Sequence, residues 1–217
     1  MRRFEQGGAN VFTHGWTPHD AAQPWGADDF MPSIEADFAE PDAPARVVRA
    51  AGEALGPLDV LVVNHARSGL GRLDEVTAEH LDAFLHENVR SSLLLVKEFA
   101  AQFEGGAGRV VLVTSGAHLA PMAREVAYAF SKGALALATT TLADELADRG
   151  IIVNCINPGP TDTGWGLAEL DPARRMPFGR WGEPDDAARL VAWLCSDDGR
   201  WVTGQVLDSE GGFRRWA

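Results

Sequence analysis

Residues 109–116 read Arg109-Val110-Val111-Leu112-Val113-Thr114-Ser115-Gly116, an unbroken apolar run that stops on two hydroxyls and a glycine. An apolar run with no polar alternation suits a strand covered on both faces, as in a parallel sheet. The pattern recurs in Leu58-Asp59-Val60-Leu61-Val62-Val63 and in Ile151-Ile152-Val153-Asn154-Cys155, the latter stopped by Pro158-Gly159. Two long helical patterns alternate with these runs. One extends from Thr77, a candidate N-cap, to about Phe103, with Leu81, Phe84, Leu85, Leu93, Leu94 and Val96 at helical spacing. The other extends from Glu125 to Asp148 and is closed by Arg149-Gly150.

Outward from this centre, strands are expected at Asn10–His14, more weakly at Ser33–Asp37, and at Gln205–Asp208. Helices are expected from about Pro41 to Leu55 and from Asp185 to Leu194. Six strands alternating with helices predict an α/β fold, a Rossmann-like doubly wound parallel sheet, as one domain over residues 1–217.

Composition narrows the function. The chain is 46% apolar and 23% charged, enough core material to argue against disorder. A net charge of −12 argues against nucleic acid, because phosphate neutralisation needs Lys and Arg. Cys155 and Cys195 are too few for a disulfide scaffold or a four-thiolate zinc site, and cytoplasm is the default compartment. No apolar run approaches the roughly 20 residues of a membrane span. Met1-Arg2-Arg3 leads into polar residues, unlike a signal peptide. The six His are scattered without metal-binding spacing, so no metal is expected.

The chain has a single Tyr, Tyr128, and it stands four residues before Lys132 in Tyr128-Ala129-Phe130-Ser131-Lys132. That spacing puts both on one helix face. A neighbouring ammonium lowers a phenol's pKa, which a proton carrier needs near neutral pH. Thr114-Ser115-Gly116 leaves the carboxyl end of its strand, where open α/β sheets bind ligands. Asn88 lies inside the first long helix, and Asn154 to Thr163 leaves the next strand.

Together these residues resemble the short-chain dehydrogenase/reductase family, which carries Asn, Ser, Tyr and Lys in this order. Twelve residues separate Ser115 from Tyr128 and three separate Tyr128 from Lys132, as in that family. Pro158-Gly159 followed by Thr163, and Gly204-Gln205-Val206-Leu207-Asp208 followed by Gly211-Gly212, extend the resemblance from Gly8 to the end of the chain. It implies Tyr128 as general acid or base, with Lys132 lowering its pKa and holding the nicotinamide ribose. It implies Ser115 on the substrate oxygen and Asn88 on a water leading to Lys132. It implies that Asp37 and Phe38 meet the adenine, and that Asn64, His65 and Ala66 lie by the adenosine. Pro158, Gly159, Thr161 and Thr163 would face the carboxamide and phosphate side. The cofactor would be NAD or NADP, because His14-Gly15-Trp16-Thr17 carries neither the acid nor the base that marks the choice.

The chain also departs from the family. The opening strand and the TGxxxGxG loop that meets the pyrophosphate are absent. Residues 2–11 match the end of the family's first helix and the start of its second strand, so the central strand is missing from the order 3-2-1-4-5-6. Strands at Val11 and Val60 would then lack their common neighbour. Three explanations compete: a truncated reading, a rebuilt gap or a degenerate relative. The rebuilt gap would pair the two strands directly or fill with residues 13–28. Val63-Asn64-His65-Ala66 stands where the family has NNAG, Asn64 keeping the residue that ties neighbouring strands. The Gly164-Trp165-Gly166-Leu167 to Met176-Pro177-Phe178 stretch corresponds to the substrate lid, and its apolar content suggests an apolar or bulky substrate.

The resulting expectation is an oxidoreductase that interconverts a ketone and a secondary alcohol, assembled as a homodimer or homotetramer. Its rival is a cofactor-binding-deficient family member that acts as a non-catalytic subunit or binding module.

Overall fold

A computed structural model describes residues 1–16, 32–163 and 171–216. Its elements are α1 (Arg2–Gln6), β1 (His14–Gly15), β2 (Ile34–Glu35), α2 (Ala43–Leu55), β3 (Val60–Val63) and α3 (Ala78–Phe84). They continue with α4 (Ser91–Gln102), β4 (Gly108–Val113), α5 (Val126–Ala147), β5 (Ile151–Asn157), α6 (Pro172–Arg175), α7 (Pro184–Leu194) and β6 (Val206–Asp208). The fold is α/β, with every strand pairing parallel.

The strands form two sheets, β1-β2 and β3-β4-β5-β6. Among the described residues, β1 does not pair with β3, so direct pairing across the expected gap is not how these strands meet. Most of the 13–28 segment lies outside the described residues. β1 is also shifted along the chain from the expected Asn10–His14.

Helices cover both faces of the larger sheet. On one face, Val47 and Val48 of α2 and Leu95, Val96 and Phe99 of α4 close over Val110, Leu112 and Val153. On the other, Val191 and Leu194 of α7, with Phe4 of α1, cover Val111, Val113 and Ile156. Arg3 reinforces that face by binding Asp185 of α7 through two hydrogen bonds of 2.5 Å. β4 is buried at every position, as its unbroken apolar run requires.

Three links join the small sheet to the rest. α2 packs on α4 within one apolar cluster. Phe38 stacks on His14 at 4.1 Å and meets His65 edge-on at 4.9 Å. Arg90 donates to the carbonyls of Phe38 and Ala39, at 3.3 and 2.6 Å.

The helix expected from Thr77 to Phe103 is interrupted. Thr77 caps α3, accepting from the His80 N–H at 3.1 Å. Between α3 and α4, residues Leu85–Arg90 form a π-helical turn with Asn88 inside it. The Ser92 hydroxyl donates to the Asn88 carbonyl at 2.5 Å, and the Ser91 hydroxyl donates to that of Glu87, so side chains supply donors where the wider turn alters the ladder. Such turns often mark functional positions in helices.

Candidate active site

Ser115 and Pro158-Gly159 leave the carboxyl ends of the adjacent strands β4 and β5. Tyr128 enters from the first turn of α5. Two sets of hydrogen bonds hold that turn: Gly71 exchanges backbone bonds with Arg124 and Val126, at 2.6 and 3.3 Å, and a chain of side-chain bonds runs from Asn88. Asn88, fully buried, donates from Nδ2 to Ser131 Oγ at 2.9 Å, and Ser131 donates to the Tyr128 carbonyl at 2.8 Å. Asn88 also accepts from the Arg67 N–H at 2.6 Å and donates to the Arg67 carbonyl at 2.9 Å.

This arrangement gives Asn88 a structural task. Its two N–H donors and its oxygen all meet protein groups, so that Asn88 fixes the 67 loop and the start of α5. Ser131, which the sequence reading did not single out, is the connecting member. Its signal was a polar residue three places after Tyr128 and next to Lys132.

The relation between Tyr128 and Lys132 also differs from expectation. Lys132 is buried and donates from Nζ to the Val113 carbonyl at 2.8 Å. Burial lowers its pKa to about 8. The Tyr128 phenol is pushed up to about 12, chiefly by burial and then by the Glu125 carboxylate at the helix start. The ammonium is held against the end of β4, and a carboxylate three residues before the phenol acts in the opposite sense.

Ser115 is nearly buried, with its hydroxyl 3.5 Å from Met122 Sδ. Thr161 donates to the carbonyls of Pro158 and Gly159, at 3.4 and 3.3 Å, and closes that turn on itself. Thr163 is exposed. Asn157 accepts from the Gly159 N–H at 3.1 Å, and Gly159 has φ +66°, a conformation that glycine adopts without strain.

The adenosine side departs further from expectation. Asp37 accepts from the Ala39 N–H at 2.8 Å and caps its own turn. Phe38 is 2% exposed, so its ring belongs to the core instead of offering a face to an adenine. His65 packs against it, with Ala66 half-buried behind. Asn64 is exposed rather than tying strands together. Among the described residues no strand lies beyond β3 for it to tie.

A family model described as enoyl-(acyl carrier protein) reductase matches residues 2–214. An uncharacterised oxidoreductase of Bacillus subtilis (strain 168), YjdA, is 40% identical over 188 residues, 84% of this chain and 75% of that protein. A short-chain dehydrogenase from Burkholderia cenocepacia J2315, solved in complex with NADP, aligns with a TM-score of 0.76 at 38% identity, over 82% of this chain and 75% of that one. The angucycline C-6 ketoreductase LanV with bound NADP aligns at 0.78 and 30% identity, over 93% and 84%. The chain belongs to the short-chain dehydrogenase/reductase family of oxidoreductases. Its fold is the Rossmann-like α/β fold of that family.

Proposed function

We propose that the protein is an NAD(P)-dependent oxidoreductase that interconverts a ketone and a secondary alcohol, with Tyr128 as proton donor. The observation that carries this reading is the placement of Tyr128 in the first turn of α5, the helix that packs beside the Ser115 turn, with its backbone carbonyl held by Ser131 and Ser131 in turn held by Asn88. Relatives solved with NADP or NADPH support the cofactor class.

The residues at the ends of β4 and β5 fit the nicotinamide half of such a cofactor. They offer the hydroxyls of Ser115, Thr161 and Thr163 and a turn opened by Gly159. When bound, the nicotinamide supplies hydride to the substrate carbon. Ser115 donates to the substrate oxygen and orients it. Tyr128, whose phenol keeps its proton throughout the neutral range, gives that proton to the oxygen as negative charge develops there. Lys132 keeps the end of β4 in register with α5, through its Nζ on Val113 and its carbonyl, which accepts from the Thr114 hydroxyl at 2.7 Å. The substrate proposed is an apolar small molecule; Phe178 stands 78% exposed at the end of the expected lid, whose residues 164–170 lie outside the described ones.

The rival reading, a non-catalytic family member, draws on the buried Phe38 ring and on the separation of the two sheets. Turnover separates the two. Ketone reduction followed by loss of reduced-nicotinamide absorbance should proceed with the parent protein. Tyr128→Phe should lower it at least 100-fold with cofactor affinity little changed; undiminished turnover removes Tyr128 from the mechanism.

A further inference from the structure

The ladder between β4 and β5 ends with the Thr114 N–H on the Ile156 carbonyl at 2.8 Å. Beyond it, Ser115-Gly116 and Pro158-Gly159 leave as separate turns. The chain's last residues return to this junction. Asn157 donates to Asp208 Oδ1 at 2.8 Å and to Glu210 Oε1 at 2.6 Å. Arg215 donates to that same Glu210 oxygen and packs over the Phe213 ring at 5.2 Å. The side chains of Glu210 and Arg215 are only 8% and 18% exposed.

Both site turns are built to admit this pair. A Cβ on Gly116 would overlap the Arg215 guanidinium and come 2.7 Å from Glu210 Oε1. A Cβ on Gly159 would lie 2.7 Å from the Glu210 Cα. One residue after Ser115 the backbone lies against the ion-paired groups, and in the proline-glycine turn it lies against the stem of the same Glu210. His118, in the short helix that follows Ser115, adds a third tie by pairing with Asp208 at 3.2 Å.

We propose that Glu210 and Arg215 are positioning residues, a largely buried ion pair that clamps the Ser115-Gly116 turn to the Pro158-Gly159 turn and balances the charge beside Ser115. The proposal rests on the oxidoreductase reading for its effect on turnover, but not for the clamp itself. Removing one partner of such a pair leaves an uncompensated charge. Without Arg215 the Glu210 carboxylate keeps only the neutral Asn157 amide and remains uncompensated against Gly116, where carbonyl reduction builds negative charge on the neighbouring substrate oxygen. Removing both charges relieves that opposition.

The test compares Arg215→Met, Glu210→Gln and the double variant, each checked for folding by thermal melting. Amide hydrogen exchange over residues 116–120 and at Gly159 reads the clamp without reference to catalysis. In Arg215→Met, exchange should speed at least tenfold in both turns; unchanged exchange in either turn overturns the clamp. If Arg215→Met does not fold, Glu210→Gln, close in shape to the parent, carries the same exchange test. In turnover, Arg215→Met should lose at least tenfold in kcat with the cofactor KM within about twofold. The double variant should recover most of that loss. A double variant no faster than Arg215→Met overturns the charge-balancing role, because the carboxylate is then gone without any relief. Parent protein without turnover defeats the oxidoreductase reading, and the exchange result then decides the clamp alone.

Discussion

Asn88 and Ser131 lie 43 residues apart in sequence and share a buried hydrogen bond of 2.9 Å. Through it the π-helical turn before α4 is tied to the first turn of α5, where Tyr128 sits. Asn88→Ala would remove the partners of the Arg67 N–H and carbonyl and the bond to Ser131 Oγ, three hydrogen bonds that contribute about 1 kcal/mol each. Urea denaturation should show a loss of about 3 kcal/mol. Ser131→Ala should cost about 1 kcal/mol in the same measurement and lower kcat severalfold, since it cuts the tie between Asn88 and the turn that carries Tyr128. Full kcat in Ser131→Ala would show that the phenol is positioned by other means.

Lys132 gives a pH signature. Burial holds its folded-state pKa near 8, below the usual 10.5, so the unfolded chain binds this proton more tightly. The cost of burying the charge is therefore full below about pH 8 and fades as pH rises towards 10.5. Lys132→Met removes that cost, roughly 3 kcal/mol, and forfeits the Val113 hydrogen bond, about 1 kcal/mol. The variant should be more stable than the parent by about 2 kcal/mol at pH 7, with the difference shrinking between pH 8 and 10. A difference that stays flat across that range would mean that Lys132 is not buried as a cation.

Arg90 spans the two sheets through the carbonyls of Phe38 and Ala39. Arg90→Met should loosen the Asp37–Ala39 turn and weaken coenzyme binding about tenfold while leaving kcat at saturation within about twofold. Fluorescence titration and steady-state kinetics together read the split. A fall in kcat without loss of affinity would place Arg90 in the chemistry instead.

These residues also show what a sequence conveys and what it withholds. Strand runs such as Val110–Val113 and the Ser115, Tyr128, Lys132 spacing are local patterns, and the fold and family followed from them. Local pattern says nothing about where a long side chain goes. Lys132 shares a helix face with Tyr128, yet its Nζ reaches the Val113 carbonyl. The π-turn at Asn88 was invisible because its apolar spacing passes for an ordinary helix. Phe38 looked like a ligand neighbour because its position beside Asp37 matches the family, but the rings of His14 and His65 enclose it. The tail from Glu210 to Arg215 reads as a polar terminus, and only the tertiary structure brings it against Gly116 and Gly159.

The Tyr128 phenol, pushed up to about 12, sets a direction for the chemistry. It carries its proton throughout the neutral range, so there it is available as a donor and not as a base. Carbonyl reduction should therefore keep its rate from pH 6 to 8, while alcohol oxidation should climb with pH over the same interval. Rate profiles in both directions check this; a reduction rate falling tenfold between pH 6 and 8 would contradict the donor role.

Dinucleotide binding by this chain is the property on which oxidoreductase activity depends most directly. Titrating the purified protein into NADPH and, separately, NADH and following nicotinamide fluorescence measures it. The account predicts saturable binding of at least one of the two. Saturable binding of neither would contradict it and favour a family member that keeps the fold without the chemistry.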